Sequence, residues 1–312
     1  MIREFALDPK LLADTIFKER YFYATAFGAN SGRYLSQFPI EWKAHVVKHL
    51  KEHADLNDNF WNITVEEFLK SLSEEAIARN INQSEKVDWL GMAEAEHHSR
   101  PFDGVIAGSN PRNHPAVIKL NELLESNNDL WNQETSKRIR RTPTYLAEAV
   151  RPVLQKSKHI VFIDPYFDIS KQRYQDAFKI YFDNIWSRAS IYETVFVDII
   201  MANKVNFPLN ERTNNCKNIL PGLLPPGKRV NFRIYSEKRG GQELHNRFIL
   251  TNIAAIGFQH GLDCCHDNVR DTYDNLHLLS KIERDRLWLD YISRQPMPFE
   301  VKRNQTVVGG TS

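Results

Sequence analysis

The sequence predicts an α/β protein of two domains, a mainly helical domain over residues 1–140 and an α/β domain with a mixed sheet over residues 141–312. Three observations lead to this prediction. The chain has 312 residues, whereas a single domain usually has about 150. Its first part contains a series of capped amphipathic segments. After residue 140, apolar strand-like runs alternate with helical patterns.

Three segments of the first domain have helical periodicity. One begins at TVEEFLKSLSEEAIAR, where Thr64 and Glu67 have the spacing of a capping box. The other two, PIEWKAHVVKHLKEHADL and HPAVIKLNELLES, carry Pro39 and Pro115 near the predicted first turn. PFDGVIAG, which precedes the third, is predicted to be a short strand. No residue here gives a clear chemical signal, so we expect this domain to bind a protein partner or to regulate the other.

The second domain is predicted to begin after the basic run SKRIRR, which we interpret as a linker or surface segment. Thr142 and Pro143 then open a helix through YLAEAVRPVLQKS. The next patterns are a buried strand in HIVFID, a helix in RYQDAFKIYFDNIWSR and a strand in TVFVDIIM. This order of strand, helix and strand predicts a βαβ unit with a parallel strand pair.

Three further strand-like runs follow a turn rich in proline and glycine, and they are RVNFRIY, ELHNRFILT and AAIGFQ. Because only a few residues separate the last two, we predict an antiparallel hairpin. A closing helix is predicted in SKIERDRLWLDYISR. Parallel and antiparallel pairs together would make the sheet mixed.

Composition limits the class of protein. The formal net charge of +2 and the pI of about 8.3 are too mild to indicate nucleic-acid binding, so any basic site must be local. Three cysteines are too few for a disulfide framework, which favours a reducing compartment. No stretch approaches the roughly 18 apolar residues of a membrane span. We therefore expect a cytoplasmic protein without a transmembrane segment.

The run ELHNRFILT places two chemically useful side chains on one face of its predicted strand. Alternate residues of a strand share a face, so His245 and Arg247 would project together, on the same side as Thr251. A guanidinium can hold two phosphate oxygens, and an imidazole can attack phosphorus or transfer a proton. This pairing suits a phosphodiester. The alternative is that His245 is a polar residue at a sheet edge without a chemical role.

The same stretch resembles the half-site of the phospholipase D superfamily, which reads His-x-Lys, four residues, Asp, and then Gly-Ser-x-Asn on the paired strand. His245 matches the family histidine, while Arg247 and Asn252 stand at the lysine and aspartate positions. Gly257 lies near the expected glycine, but no Ser-x-Asn follows it. The order of elements over residues 142–293 also agrees. The resemblance implies a phospholipase D-like half-domain without a metal or another cofactor, because the imidazole itself does the covalent work in this family.

A degenerate branch of the superfamily is more similar, with the pattern Leu-His-Asp-Arg, an apolar run and Gly-Leu-Asp. Leu244, His245, Arg247 and residues 261–263 match this pattern, and Asn246 departs from it. The branch includes a phospholipase D-like domain of microtubule-interacting-and-trafficking proteins, which is thought to bind lipids or partners without hydrolysis. It also includes uncharacterised bacterial proteins that are related to mobile-element or defence loci.

Active members of the superfamily join two half-sites, with one histidine attacking phosphorus and the other protonating the leaving group. No second half-site is convincing, because His49 lies on a predicted helix and His98 in a turn-like context. A symmetric homodimer would supply the second histidine across its twofold axis.

Other candidate residues come from the neighbouring patterns. Asp164 and Tyr166 follow the HIVFID strand, at the carboxyl end where open α/β sheets bind ligands. Asp164 is a candidate to orient His245, and Tyr166 to touch substrate, whereas the alternative is a strand-terminating turn. The remaining candidate substrate contacts are Thr251, Asn252 and Asp263.

The densest basic cluster is a candidate nucleic-acid contact, with a solvated helix end as the alternative; it comprises Lys137, Arg138, Arg140 and Arg141. A metal site is not predicted, because Asp263, Cys264, Cys265 and His266 lack the paired spacing of a zinc site.

These patterns lead to two hypotheses. The first is a phospholipase D-like phosphodiesterase or nuclease that acts on DNA or RNA, with catalytic His245, Arg247 and Asp164. The second is a catalytically inactive module that uses the same cleft to bind nucleic acid, lipid headgroups or a protein.

Overall fold

A computed structural model describes the chain except for residues 54–58, 80, 83–86, 126–127, 133, 188–189, 205–207, 266–271 and 311–312, and except for the side chains of residues 53 and 59–62. The described residues divide into two units, Ile2–Thr135 and Ser136–Ser312.

The N-terminal unit contains a five-stranded sheet in the order β3-β2-β1-β4-β5. All of its strand pairs are parallel, and the order is one found in doubly wound sheets. The strands are β1 (Arg3–Leu7), β2 (Arg33–Gln37), β3 (Ile77–Ala78), β4 (Gly104–Ala107) and β5 (Val117–Lys119). The helices are α1 (Pro9–Ala26), α2 (Trp42–His53), α3 (Asn59–Glu74), α4 (Trp89–Ser99) and α5 (Leu120–Leu124).

This unit is itself α/β and is not the mainly helical domain that the sequence predicts. Only β4, in PFDGVIAG, was predicted as a strand. Strands β1 to β5 have two to five residues each, and β4 is buried along its whole length. Short strands that are covered on both faces show no alternation of polar and apolar residues, so their pattern cannot be distinguished from that of a buried helix.

Helix boundaries differ from the predicted ones for the same reason. Helix α3 begins at Asn59, so Thr64 lies inside it and does not cap it, and part of the predicted helical run is β3. The run that begins at Pro115 forms β5 before it forms the short helix α5.

A buried ion cluster joins three parts of the N-terminal unit. The Arg79 guanidinium lies 2.7 Å from Glu4 Oε1 on β1 and 2.7 Å from Glu96 Oε1 on α4. Its Cζ also lies 3.9 Å from the centroid of the Phe102 ring. Arg79 is therefore fully committed to holding this unit together.

The C-terminal unit contains an eight-stranded mixed sheet in the order β13-β9-β8-β7-β10-β11-β12-β6. Its strands are β6 (Ser136–Arg140), β7 (His159–Ile163), β8 (Phe196–Ala202), β9 (Arg229–Glu237), β10 (Arg247–Thr251), β11 (Ala255–Phe258), β12 (Tyr273–Leu278) and β13 (Phe299–Val308). Its helices are α6 (Pro143–Lys156), α7 (Gln172–Ile185), α8 (Leu209–Leu223) and α9 (Lys281–Trp288), and one turn of π-helix, Leu289–Ser293, follows α9.

The predicted α/β class and the mixed sheet are confirmed in this unit. Strands β7 and β8 are parallel and are joined through α7, and β10 and β11 form the predicted antiparallel hairpin. The basic run SKRIRR is not a linker, because it forms β6 at the edge of the sheet, paired antiparallel with β12. Its consecutive charged residues hide the strand pattern, since only Ile139 is buried.

Helices and apolar side chains cover the two faces of this sheet differently. On one face, Phe162 of β7 packs against Phe178 and Tyr181 of α7. On the other face, Val161 and Ile163 belong to an apolar cluster that includes Tyr291 of the π-helical turn. The sheet is thus a buried layer whose strand ends reach the surface.

Within the described parts of the chain, none of the helices combines the length and the apolar character needed to cross a membrane.

Candidate functional site

Several strand ends of the C-terminal unit meet at one edge of its sheet. Strands β7 and β8 run parallel and end side by side there, and β10 begins there because it runs antiparallel to β7, with Phe248 paired to Ile163. Strand β11 ends at the same edge, since Phe258 pairs with Arg247. The residues that follow or precede these ends are therefore close in space.

Three basic side chains surround the ring of Tyr166, which follows β7. Lys204 Nζ lies 3.9 Å from the ring centroid, and Arg247 Cζ lies 4.7 Å from it. The His245 ring meets the Tyr166 ring edge to face, with 6.4 Å between centroids. We call these four residues the Tyr166 cluster. Among the residues that the structure describes, none of the three basic side chains forms an ion pair with a carboxylate.

Arg247 is the most constrained member of the cluster. Its Nε is buried and has no hydrogen-bond partner in the described part of the protein. Burial of an unsatisfied guanidinium nitrogen costs free energy. Arg247 can therefore donate a hydrogen bond from Nε to an anionic ligand. The nearby charge of Asp164 interacts with it electrostatically, but no hydrogen bond joins the two described side chains.

His245 differs from the prediction in its position on the chain. Strand β10 begins at Arg247, so His245 lies in the exposed segment before it and does not share a strand face with Arg247. The structure nevertheless brings both side chains to the Tyr166 ring. His245 and Arg247 are thus close to each other because both contact Tyr166, and not because they share a strand face.

Asp164 is 1 % exposed and organises the loop after β7. It accepts hydrogen bonds from the backbone N–H of Tyr166 (2.9 Å) and Leu262 (3.1 Å) and from the hydroxyl of Tyr174 (3.1 Å). Burial raises the pKa of Asp164, and the two backbone hydrogen bonds oppose this shift. No hydrogen bond to His245 exists among its described contacts, so Asp164 does not orient that histidine here.

The Gly-Leu-Asp segment closes one side of the site. Asp263 pairs with Arg141 at 2.6 Å and with Arg173 at 2.9 Å, so two arginines already neutralise it. A Cβ on Gly261 would lie 2.6 Å from Asp263 Oδ1 and 3.5 Å from Asp164 Oδ2. A side chain at position 261 would therefore have to displace the Asp263 carboxylate from its place between the two arginines.

A second histidine enters the same region from this chain. His260 Nδ1 lies 3.4 Å from Oδ1 of the buried Asp274, which also accepts a hydrogen bond from the backbone N–H of Gln259 at 3.0 Å. Sequence reasoning missed this pair, because Asp274 lies on the neighbouring strand β12. The QHGLD segment contains the histidine but gives no indication of its partner.

Some of these residues line a cavity of about 330 Å³, which we call the cleft; its lining comprises Arg141, Asp164, Tyr166, Asp168, Lys171, Arg173, Tyr174, Arg247, His260 and Asp263. Small-ligand sites usually have volumes of about 300–1,000 Å³, so the cleft can hold a phosphate group with part of its ester. His245 is not among these lining residues, but its ring contacts that of Tyr166, which is.

Two of the predicted substrate contacts lie at the opposite end of the sheet. Asn252 Oδ1 accepts hydrogen bonds from the backbone N–H of Lys158 (2.9 Å) and His159 (3.0 Å), at the start of β7. The hydroxyl of the buried Thr251 bonds to the carbonyl of Ala254 in the hairpin turn. The structure therefore does not bring these two residues to the cleft, and their contacts are those of a turn.

The predicted basic cluster is divided between two places. Lys137, Arg138 and Arg140 are exposed on the edge strand β6, and Arg138 Cζ lies 4.5 Å from the centroid of the Tyr273 ring. Arg141 alone among the four lines the cleft. Of the four residues that were rejected as a zinc site, Cys264 is buried with its thiol bonded to the carbonyl of Arg173, and His266 lies outside the described residues.

Comparison with known proteins gives no match to a family model or to a curated protein. Two similar solved structures are polyphosphate kinase from Porphyromonas gingivalis and TrmBL2, an archaeal chromatin protein described with a novel mode of DNA binding. The kinase is 14 % identical, with a TM-score of 0.32, 76 % of this chain covered and only 37 % of the kinase chain. TrmBL2 is 9 % identical, with a TM-score of 0.25 and coverage of 90 % of this chain and 98 % of its own. Likenesses this weak carry no argument about function, which must come from the geometry of the site.

Proposed function

We propose that the protein is a phospholipase D-like phosphodiesterase that acts on nucleic acid, with its active site in the cleft and the Tyr166 cluster. The observation that carries the proposal is the set of Lys204, His245 and Arg247 around one tyrosine ring, without an ion-paired carboxylate among the described residues. Basic side chains held close together without an ion-paired carboxylate favour binding of an anion.

A phosphodiester suits this arrangement better than a carboxylate ligand does. Arg247 would hold the non-bridging oxygens, and Lys204 would add a second positive charge. His245 would supply a nitrogen nucleophile at the rim. The partly exposed Tyr166 ring would keep these three basic side chains together at the site.

The proposed reaction has two steps. In the first, the His245 nitrogen forms a bond to phosphorus while the ester P–O bond breaks, and the leaving alkoxide takes a proton from His260. In the second, water attacks the phosphorus and gives its proton to His260, and the P–N bond breaks to restore His245. Asp274 would act as a positioning residue for the His260 ring.

A catalytically inactive binding module is the second candidate, and a specific observation favours it. The chain has arginine and asparagine at the positions of the family lysine and aspartate, and Asn252 is committed to a turn away from the cleft. Such a module would hold a phosphate-bearing ligand, nucleic acid or a lipid headgroup, without turnover. A homodimer that joins two copies of His245 is an alternative source of the second histidine. A role in bacterial defence or in mobile elements rests on the sequence resemblance alone.

The test uses labelled single- and double-stranded DNA and RNA with purified protein in EDTA, which removes divalent cations needed by contaminating nucleases. We expect cleavage by the wild type, none by His245→Ala, and unchanged cleavage by the control His277→Ala, an exposed histidine on β12. A labelled substrate should also leave an alkali-stable, acid-labile phosphohistidine in the wild type.

The other outcomes are informative. Equal cleavage by wild type and His245→Ala would remove His245 from the mechanism. Binding without cleavage, lost in Arg247→Ala, would identify the inactive module. Cleavage that survives His260→Ala in a protein shown by light scattering to be dimeric would favour a second His245. Absence of both binding and cleavage would overturn the assignment of the cleft.

A further inference from the structure

A second and larger cavity lies at the opposite end of the same sheet. Its volume is about 650 Å³, and it is lined by the beginnings of β7, β8 and β9 together with Trp186, Gly227 and Thr306. The register pairs His159 with Phe196 and Asp198 with Asn231, so these side chains project from one face of the sheet. The proposed phosphodiesterase activity uses none of these residues.

The floor of this cavity is a buried polar group. Asp198 is 4 % exposed, and its carboxylate lies 2.7 Å from His159 Nε2, 2.8 Å from Asn231 Nδ2 and 2.9 Å from Arg233 Nη2. Arg233 Nε is buried without a hydrogen-bond partner among the described residues. A buried guanidinium nitrogen without a hydrogen-bond partner costs free energy, which a bound polar ligand would offset.

The rim carries two features that an internal ion network does not need. Lys228 and Arg229 line the opening, and neither forms an ion pair with a described carboxylate. Phe196 is 56 % exposed although it lies on a central strand, and Trp186 also faces the cavity. Glu193, an exposed carboxylate of the lining, is outnumbered by these two cations.

We propose that this cavity binds a nucleoside phosphate. The exposed Phe196 ring would stack on the base, and Lys228 and Arg229 would bind the phosphates. Asn231 and the His159–Asp198 pair would meet the polar edge of the base or the ribose hydroxyls. A volume of about 650 Å³ exceeds what inorganic phosphate needs and lies in the usual range for a ligand of nucleotide size.

The test is calorimetric titration of the full-length protein with three probes: ATP, adenosine and inorganic tripolyphosphate. ATP presents the base and the phosphates together, so we expect it to bind at least about tenfold more tightly than either fragment. Competition by GTP would then measure how strongly the polar floor selects the base.

Two variants separate the two halves of the proposed site. Phe196→Ala should weaken binding of ATP and adenosine by at least about tenfold and leave tripolyphosphate unchanged. The double variant of Lys228→Ala and Arg229→Ala should weaken ATP and tripolyphosphate and spare adenosine. Because these side chains lie at the rim and Phe196 is largely exposed, the variants should fold, which thermal melting would check.

Arg247→Ala is the control that separates this site from the cleft, and it should leave ATP affinity unchanged. ATP binding lost in Arg247→Ala but retained in both rim variants would place the nucleotide in the cleft and overturn the proposal. No ATP binding at millimolar concentration, or equal binding by all variants, would overturn it as well.

Discussion

Two arginines that lie over aromatic rings show how differently the two units use the same side chain. In the N-terminal unit, Arg79 lies over Phe102 and is paired with Glu4 and Glu96. In the C-terminal unit, Arg247 lies over Tyr166 without an ion-paired carboxylate in the described residues. Both arginines contact an aromatic ring, but only Arg79 forms ion pairs with carboxylates of the described residues.

The difference separates an arginine that maintains a fold from one that is available to a ligand. Burial lowers the pKa of Arg79, but hydrogen bonds and charge from Glu4 and then Glu96 outweigh it, so the pKa is raised overall. The charge of Arg79 is thus satisfied within the protein. Arg247 keeps an unsatisfied buried nitrogen, and an anion from solution would provide what the protein does not.

The largest expected effect follows from breaking the satisfied cluster. Arg79→Ala removes the guanidinium that pairs with the buried Glu4 and that shares Glu96 with Arg100, so we expect the free energy of unfolding of the N-terminal unit to fall by about 3–5 kcal/mol. Urea unfolding monitored by tryptophan fluorescence would measure it. The exposed Arg20→Ala is the matched control, and a similar small loss in both variants would contradict the structural role of Arg79.

Removal of Arg247, the arginine with the unsatisfied nitrogen, should weaken ligand binding and not the stability of the fold. Arg247→Ala should weaken binding of a phosphodiester oligonucleotide by roughly 1.5–3 kcal/mol, about 10- to 100-fold, and change the unfolding free energy little. The slope of log K against log salt should fall by about 1 in magnitude. Titrations at several salt concentrations would show this, with the exposed Arg286→Ala as control. Unaltered affinity would remove Arg247 from the site.

The smallest expected effect concerns the third arginine, Arg233, which has a counter-charge in Asp198. Burial raises the pKa of Asp198, but the hydrogen bonds and charges of His159, Arg233 and Asn231 lower it by more. The pKa of Asp198 in the folded protein therefore lies below its ordinary value. A depressed carboxyl pKa gives stability that is present above the unfolded pKa of about 4 and is lost as the pH falls through the folded pKa.

Wild type should accordingly be more stable than Asp198→Asn by about 1–3 kcal/mol at pH 7, and this advantage should shrink below about pH 4. Denaturant unfolding of both proteins between pH 7 and pH 3 would measure the difference. An advantage that does not change across this range would show that the carboxylate charge is not what stabilises the cluster.

Sequence reasoning named some of the residues that line the cleft because they lie next to strong strand signals. HIVFID is a buried strand, and Asp164 and Tyr166 could therefore be placed at its carboxyl end. His245 and Arg247 were brought together for a reason that proved incomplete, since the strand begins only at Arg247 and the shared contact is the Tyr166 ring.

Other features could not be predicted because their partners are distant in sequence. Asp274 contacts His260 from the next strand, and Asp198 bonds to His159 and Asn231 of neighbouring strands. Local periodicity contains no information about such pairs. The motif position of Asn252 was misleading for a related reason, because a side chain at a position that a family pattern marks can satisfy the backbone of a turn instead.

The basic strand β6 also has a practical consequence for anyone who divides this chain. It lies first in the C-terminal unit, yet its partner β12 lies far along the sequence, with Ile139 opposite Asp274. A fragment that begins at residue 141 would lack this strand and expose the backbone N–H and C=O groups of β12. An exposed strand edge can pair with another molecule. Aggregation of such a fragment would therefore result from a wrongly chosen boundary and not from an unstable domain.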